Sequence, residues 1–413
     1  MDRKRSMTTL NRKPRLAVIS PFLDKSHGSE RIVVEWLSHL PESFDIHIYS
    51  QHIEDLDLSR FTWHRIPKLH LPHLFNFLWW LAACHTVVGW HHRFTRLRYD
   101  LIFSSGANYP GADVICVHIV FAEYARKVRL ETSLLRNSLW RWPRLLHRKL
   151  YYAVACLLEK RAYPNPARTL VVNSKKTAQD IALHYHHTEN LPLLYLGIDH
   201  FVFNPARRAE LREAARRELG LEDNQLAVIL VGNDWLNKGV EVLLDALDQL
   251  QQLPVRLLIV SREMTSQWSE LVARKGLKNR VSVLRPRKDV EAFYAAADVY
   301  AGPSLQDAYA MPAAEAMACG LPVIVSAAAG VSEIITSGID GLILDDPRDA
   351  MGLASLIHRL YEDKELRDRL GERAAETTRK YSWENNSREL AAIFDKILAR
   401  KSIPTVQTLT QRP

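Results

Sequence analysis

Apolar runs and helical stripes alternate along this chain. "RLAVIS" (15–20) predicts a buried strand, and "ERIVVEWLSHL" (30–40) carries apolar positions at helical spacing. "FDIHIYS" (44–50), "YDLIFSS" (99–105) and "DVICVHIV" (113–120) predict further strands. "RTLVVNS" (168–174) leads into the helical "KKTAQDIALHY". The second half repeats the plan: strand "LAVILVG" (226–232), helix "GVEVLLDALDQL" (239–250), then strands at 255–261, 281–285, 298–304, 321–326 and 341–345 with helices between. Alternation of this kind predicts an α/β fold: two Rossmann-like doubly wound parallel-sheet domains. The seam is expected near "LGIDHFVFNP" (196–205).

Two stretches depart from the plan. "LFNFLWWLAACHTVVGWHHRF" (74–94) is aromatic and apolar, but Asn76, His85 and Thr86 interrupt it, leaving it marginal for a membrane span. Residues 126–152 interleave Arg and Lys with Trp and Leu. They read either as amphipathic helices with a solvated basic face or as a surface for anionic lipid or a charged acceptor.

Charge sharpens this picture. Residues 1–200 hold 27 Lys+Arg against 17 Asp+Glu, and residues 201–413 hold 28 against 30, so +10 and −2 make the net +8. The excess on the first half suits an anionic partner. No RNA- or DNA-binding pattern accompanies it, so nucleic acid is not expected. The four cysteines are widely spaced, which argues against a zinc site or disulfide framework and for a reducing compartment. The basic start lacks a long apolar core, so no signal peptide is read. A cytoplasmic chain, peripheral on the inner face of a membrane, is the expectation. Neither half has GxGxxG after its first strand, and there is no GxxxxGK[ST], which disfavours a redox dinucleotide and a P-loop nucleotidase.

The chemistry concentrates in "SLQDAYAMPAAEAMACGLPVIVS" (304–326). Asp307 falls on the loop after a strand, and Glu315 in the first turns of the next helix. Pro312 suits the first helical position, and Met311 before it is biased away from helix. The acids bracket a helix N-terminus at the carboxyl end of a parallel strand, where open sheets bind ligands and free N–H groups accept phosphate. A nucleotide-sugar would use all three features: diphosphate at the N-terminus, ribose on one carboxylate, sugar on the other. Two solvated acids would also give this spacing.

The stretch "PSLQDAYAMPAAEAMACGLPVIVSAAAGVSEII" resembles the donor-site signature of family-4 glycosyltransferases of the GT-B fold. "VVNSKKTAQDI" (171–181), "LGIDHFVFNP", "VGNDWLNKGVEVLLDAL" (231–247) and "YAAADVYAGPS" resemble other segments of that family, in order. The resemblance implies two domains facing across a cleft. Residues 13–195 would receive an acceptor, 196–380 would bind the donor, and 381–401 would be a terminal helix crossing back. Residues 1–12 and 402–413 would be a basic arm and a loose tail. It implies retaining transfer from a nucleoside diphosphate sugar, with no metal or other cofactor. The basic, aromatic first domain suits a cell-surface glycan or lipid-linked acceptor at the inner face of a membrane.

By the same resemblance Lys238 would stabilise the leaving diphosphate. Asp307 would stand in the first acidic position, and Glu315 would hold the ribose hydroxyls. Backbone N–H groups of Tyr309, Ala310 and Met311 would face sugar and phosphate. Gly232, Asn233, Gly330 and Glu333 complete the matched donor segments. Gly28 stands in the loop before the first helix, with His27 replacing a usual glycine. His118 stands where many members place a histidine facing the donor sugar, although an ordinary packed histidine fits as well. The chain departs from the pattern at Asp307 (for Glu), Tyr309-Ala310 (for Phe-Gly), Ala329 (for Gly) and Asn233 (for a phosphate-binding Arg). Arg262, Arg285 and Arg287 are candidates to replace that lost cation. These departures motivate a second reading, a weakly catalytic paralogue that binds or scaffolds. A sugar-nucleotide epimerase or a phosphorylase of the same fold is a third.

Overall fold

The computed structural model describes residues 12–402, apart from 26, 70–71, 96, 130–131, 135–138 and 264–265. The basic arm and most of the tail read from the sequence lie outside the described residues.

The first domain is built on strands β1 (Arg15–Ile19), β3 (Asp45–Ser50), β5 (Phe61–Arg65), β6 (Leu101–Ser105), β7 (Val114–Val117) and β8 (Thr169–Val172). They form one sheet in the order β5-β3-β1-β6-β7-β8, every pair parallel. A two-residue ladder, β2 (Phe22–Leu23) with β4 (His52–Ile53), lies beside it. Strands β7 and β8 are buried at every position, because helices cover both faces of an all-parallel sheet. Those helices are α1 (Gly28–His39), α2 (His73–Phe94), α3 (Phe121–Lys127), α4 (Trp142–Ala162) and α5 (Lys175–Tyr185). Strand β5 was not expected from the sequence. It is an edge strand reading Phe-Thr-Trp-His-Arg with partly exposed side chains, so it lacks a continuous apolar run.

The marginal membrane segment is helix α2, which buries Trp80, Cys84 and Val88 as one stripe against Ala17, Ile19 and Tyr49 of the sheet. No described helix is long and apolar enough to cross a membrane. Of the basic 126–152 stretch, Arg126 and Lys127 end α3, Leu139–Arg141 form a 3-10 turn and 142–152 belong to α4; 130–131 and 135–138 lie outside the described residues. Pro143 stands at the second position of α4, where its missing N–H leaves no intrahelical bond unmade.

The second domain repeats the topology with β9 (Leu226–Val231), β10 (Val255–Val260), β11 (Val281–Leu284), β12 (Val299–Gly302), β13 (Val323–Ser326) and β14 (Leu342–Leu344). Their order is β11-β10-β9-β12-β13-β14, again all parallel. Around them run α6 (Pro205–Glu218), α7 (Trp235–Lys238), α8 (Val240–Gln249), α9 (Ser266–Arg274), α10 (Glu291–Ala296), α11 (Met311–Ala318), α12 (Ala350–Glu362) and α13 (Lys364–Thr378). In each sheet the chain reverses direction of winding at the centre, between β1 and β6 and between β9 and β12. Loops diverge there and leave a crevice at the strands' carboxyl ends.

Helix α14 (Trp383–Ser402) packs against α1 of the first domain. Asn386 accepts a buried hydrogen bond from the Trp36 indole at 2.5 Å, and Phe394 stacks edge-on with Phe44 and Phe103. The two chain crossings lie side by side. Ile198 N–H donates to Tyr381 O at 2.9 Å, and a Cβ on Gly197 would meet the Trp383 backbone at 2.7 Å.

Candidate functional site

Two glycines shape the loop that follows β9. Gly232 has φ +152, and a Cβ there would come within 2.9 Å of Lys238 Cε. Gly239 has φ +72, and its Cβ would lie 2.2 Å from Pro303 O. Their bare backbones bring Lys238 over the end of β12, where Nζ lies 2.5 Å from Asp307 Oδ2. Both side chains are largely buried, at 16% and 17% exposure, so the pair is poorly screened.

Asp307 has further partners. Its Oδ1 accepts from Ala310 N–H at 2.8 Å and Tyr309 N–H at 3.2 Å. Two of the three N–H groups expected to face a ligand are thus held by the loop's own carboxylate. Met311, expected to fall outside the helix, is the first residue of α11. The residue before it, Ala310, takes the left-handed turn with φ 69 and so admits Met311 to the first turn. Alanine there is strained by about 1–2 kcal/mol, part of which glycine's greater unfolded freedom would offset. Ala310→Gly is therefore expected to raise stability by about 0.5–1 kcal/mol, read as the midpoint of urea unfolding. An unchanged or lower midpoint would show that the turn is not strained.

Behind this loop Gly330 N–H donates to Asp307 O at 3.0 Å. A Cβ on Gly330 would lie 2.1 Å from Ala308 O and 2.6 Å from Ser174 Cβ. Glu333, one turn on, reaches into the first domain. Its Oε2 accepts from Lys175 N–H and its Oε1 from Lys176 N–H, each at 2.8 Å, and the Tyr195 hydroxyl donates to Oε2 at 2.9 Å. It therefore caps the N-terminus of α5 across the domain seam.

Glu315 is buried in α11 at 4% exposure. The Tyr294 hydroxyl donates to its Oε2 at 2.9 Å. Its Oε1 lies 2.6 Å from Arg31 Nη1, a residue of α1 in the other domain. Asn233 braces the neighbouring strand end: its Oδ1 accepts from Arg262 N–H at 2.9 Å and from the Ser261 hydroxyl at 3.2 Å. Of the three candidate arginines, Arg287 is taken by Glu218 and Asp289 and lies over the Phe293 ring. Arg262 and Arg285 are exposed.

In the first domain Gly28 opens α1 with nothing within 4 Å of a Cβ position, so its backbone is bare toward solvent. His118 follows β7, its Nε2 sharing a hydrogen bond with the Ser105 hydroxyl at 3.0 Å. Burial lowers this imidazole from 6.5 to about 4. The folded chain then binds fewer protons than the unfolded chain between those values, so stability is lost as pH falls from about 6.5 to about 4. His118→Gln is expected to flatten the fall of the thermal midpoint across that window. His64, also lowered to about 4, and His47 and His91, also lowered, add to that fall, while Glu159, raised by burial to about 7, opposes it. An unaltered slope in the variant would exclude a neutral His118.

Between the domains lies a cavity of about 490 Å³, walled by Phe121, Tyr124, Tyr151 and Tyr152 and floored by Asp234 and Asn237. Asp234 takes the left-handed region at φ 59. Arg148 Nη2 donates to its Oδ1 at 2.8 Å, and the Tyr124 hydroxyl to its Oδ2. The sequence reading missed Arg31, Tyr124, Arg148 and Asp234. Each is an ordinary charged or aromatic residue in its own segment and acquires a role only across the cleft.

Comparison with known proteins places these features. Residues 212–377 match the sequence model of the family described as Glycosyl transferases group 1. The chain is 29% identical over 253 residues to a D-inositol 3-phosphate glycosyltransferase of Corynebacterium urealyticum, covering 58% of each chain. It is 30% identical over 250 residues to the protein of that name from Salinispora tropica, covering 56% of this chain and 52% of the relative. The matches thus span little more than half the length of these curated relatives. Among solved structures, WaaG, a glycosyltransferase involved in lipopolysaccharide biosynthesis, superposes with TM-score 0.74 at 22% identity, over 92% of this chain and 99% of that one. Anabaena HepE in complex with UDP-glucose gives TM-score 0.68 at 20% identity, over 92% and 99%. The fold of this chain is GT-B.

Proposed function

We propose that this chain transfers a hexosyl unit, with retention, from a nucleoside diphosphate sugar to a cell-surface glycan or lipid-linked acceptor, without a metal. The observation that carries the reading is Lys238 set against Asp307 where β9 and β12 diverge, beside the N-terminus of α11. A diphosphate entering there would exchange Asp307 for its own oxygens on Lys238 and on the Tyr309 and Ala310 N–H groups. Lys238 then stabilises the charge that grows as the bond from sugar C1 to phosphate oxygen breaks. The acceptor oxygen takes C1, and its proton leaves with the diphosphate. Glu315, within α11, holds the ribose. His118 and the bare Gly28 turn face the donor from the first domain.

The aromatic cavity beside Asn237 supports an acceptor whose sugar ring stacks on Tyr151 or Phe121. A membrane-facing first domain draws support from the exposed Trp79, Trp90 and Phe94 of α2, Leu146 and Leu150 of α4, and Trp140 in the turn before α4. Cytoplasmic placement at the inner face of a membrane is part of this reading. UDP- and GDP-glucose and TDP-sugars, each with purified chain and membrane extract, test it by release of nucleoside diphosphate. Release from one donor is the expected result. Binding of a donor with no release under any acceptor condition would favour the scaffold reading.

A further inference from the structure

Lys238, the cation that the donor loop brings to the end of β12, is paired with Asp307. A diphosphate carries at least two negative charges, and Asn233 supplies none. We infer that Arg31, from the first domain, is the second cation of the diphosphate site and rests on Glu315 until the donor arrives. The inference depends on the nucleotide-sugar reading above.

Three observations carry it. First, Arg31 sits one turn into α1, the helix that opens at the carboxyl end of β1, so its side chain starts from the crevice end of the first sheet. Secondly, its guanidinium already lies inside the second domain's site. It is 2.6 Å from Glu315 Oε1 and 5.9 Å from the centre of the Phe203 ring, and its Nε is 4.0 Å from Glu35 Oε1. Flanking carboxylates hold it charged. Thirdly, Glu315 Oε1 is buried at the end of this 2.6 Å contact, so Arg31 neutralises a carboxylate that is shielded from solvent. A ribose hydroxyl can donate to the same carboxylate.

A guanidinium has five N–H groups in a planar fork. Arg31 can therefore stay beside Glu315, keeping the buried carboxylate neutralised, while turning its remaining N–H groups to phosphate oxygens. Because Arg31 and Lys238 belong to different domains, a diphosphate held by both would bridge the cleft.

The test separates phosphate from nucleoside. Calorimetric titration of the full chain with UDP and uridine, and with GDP and guanosine, gives Kd for each pair. Arg31→Ala is expected to weaken the nucleoside diphosphate by about tenfold or more while moving the nucleoside by less than about threefold. Arg31→Lys should recover part of the loss. Glu315→Gln, which removes the resting partner, should weaken the nucleoside but widen the preference for its diphosphate, and it keeps the inference testable if Arg31 variants fold poorly. Equal effects of Arg31→Ala on nucleoside and diphosphate would overturn the assignment, as would a phosphate-selective loss in Arg262→Ala instead. If the unaltered chain binds none of these diphosphates, the nucleotide-sugar reading fails and takes this inference with it.

Discussion

Lys238→Ala is expected to lower turnover of the nucleotide-sugar by about 10²–10³-fold, the usual cost of removing one preorganised group that stabilises transition-state charge. Its Nζ is fixed at 2.5 Å from Asp307 in a poorly screened setting, so the charge is worth more there than in water. The loss should fall mainly on kcat, since charge on the leaving oxygen grows as the bond breaks. The fold should survive: Asp307 keeps the N–H groups of Tyr309 and Ala310, and the cost of leaving its Oδ2 without a cation is about 1–3 kcal/mol. Lys238→Arg should retain a fraction of activity, because charge is kept but the planar fork does not fit the channel left by Gly232. Initial rates of diphosphate release, with thermal unfolding beside them, separate these effects. Turnover in Lys238→Ala within about threefold of the original would remove Lys238 from the chemistry.

Gly330→Ala is expected to cost about 3–5 kcal/mol of stability. The added methyl would meet a backbone carbonyl at 2.1 Å and the β-carbon of a helix cap at 2.6 Å. Neither is the end of a flexible side chain. Relief requires moving the Asp307–Ala310 loop or parting Ser174 from the second domain. Gly28→Ala makes the control, since nothing lies within 4 Å of that Cβ. It should leave the urea midpoint unchanged or slightly raised. A Gly330→Ala chain as stable as the original would show that the donor loop yields readily.

The amino-acid pattern was enough for much of this. Helix α5 was read from its sequence with the bounds it has in the structure, and every expected strand is present within a few residues. Those elements are set by local periodicity and by caps, such as the Ser174 hydroxyl that accepts from Thr177 N–H. The donor segment was legible for the same reason: Asp307, Ala310 and Glu315 lie on one loop and helix, and their spacing is a property of that loop.

What the sequence by itself determined is therefore the order of elements, the parallel sheets and the position of the Lys238 and Asp307 segments. Only the tertiary structure decided which partner each charge meets. Asp307 divides its carboxylate between its own loop's N–H groups and Lys238. Glu333 went to the cap of α5, Asn233 to the end of β10, and Glu315 to Arg31. Such pairings join residues far apart in the chain. Their energy depends on burial and low screening, which arise only once two sheets face each other across a cleft.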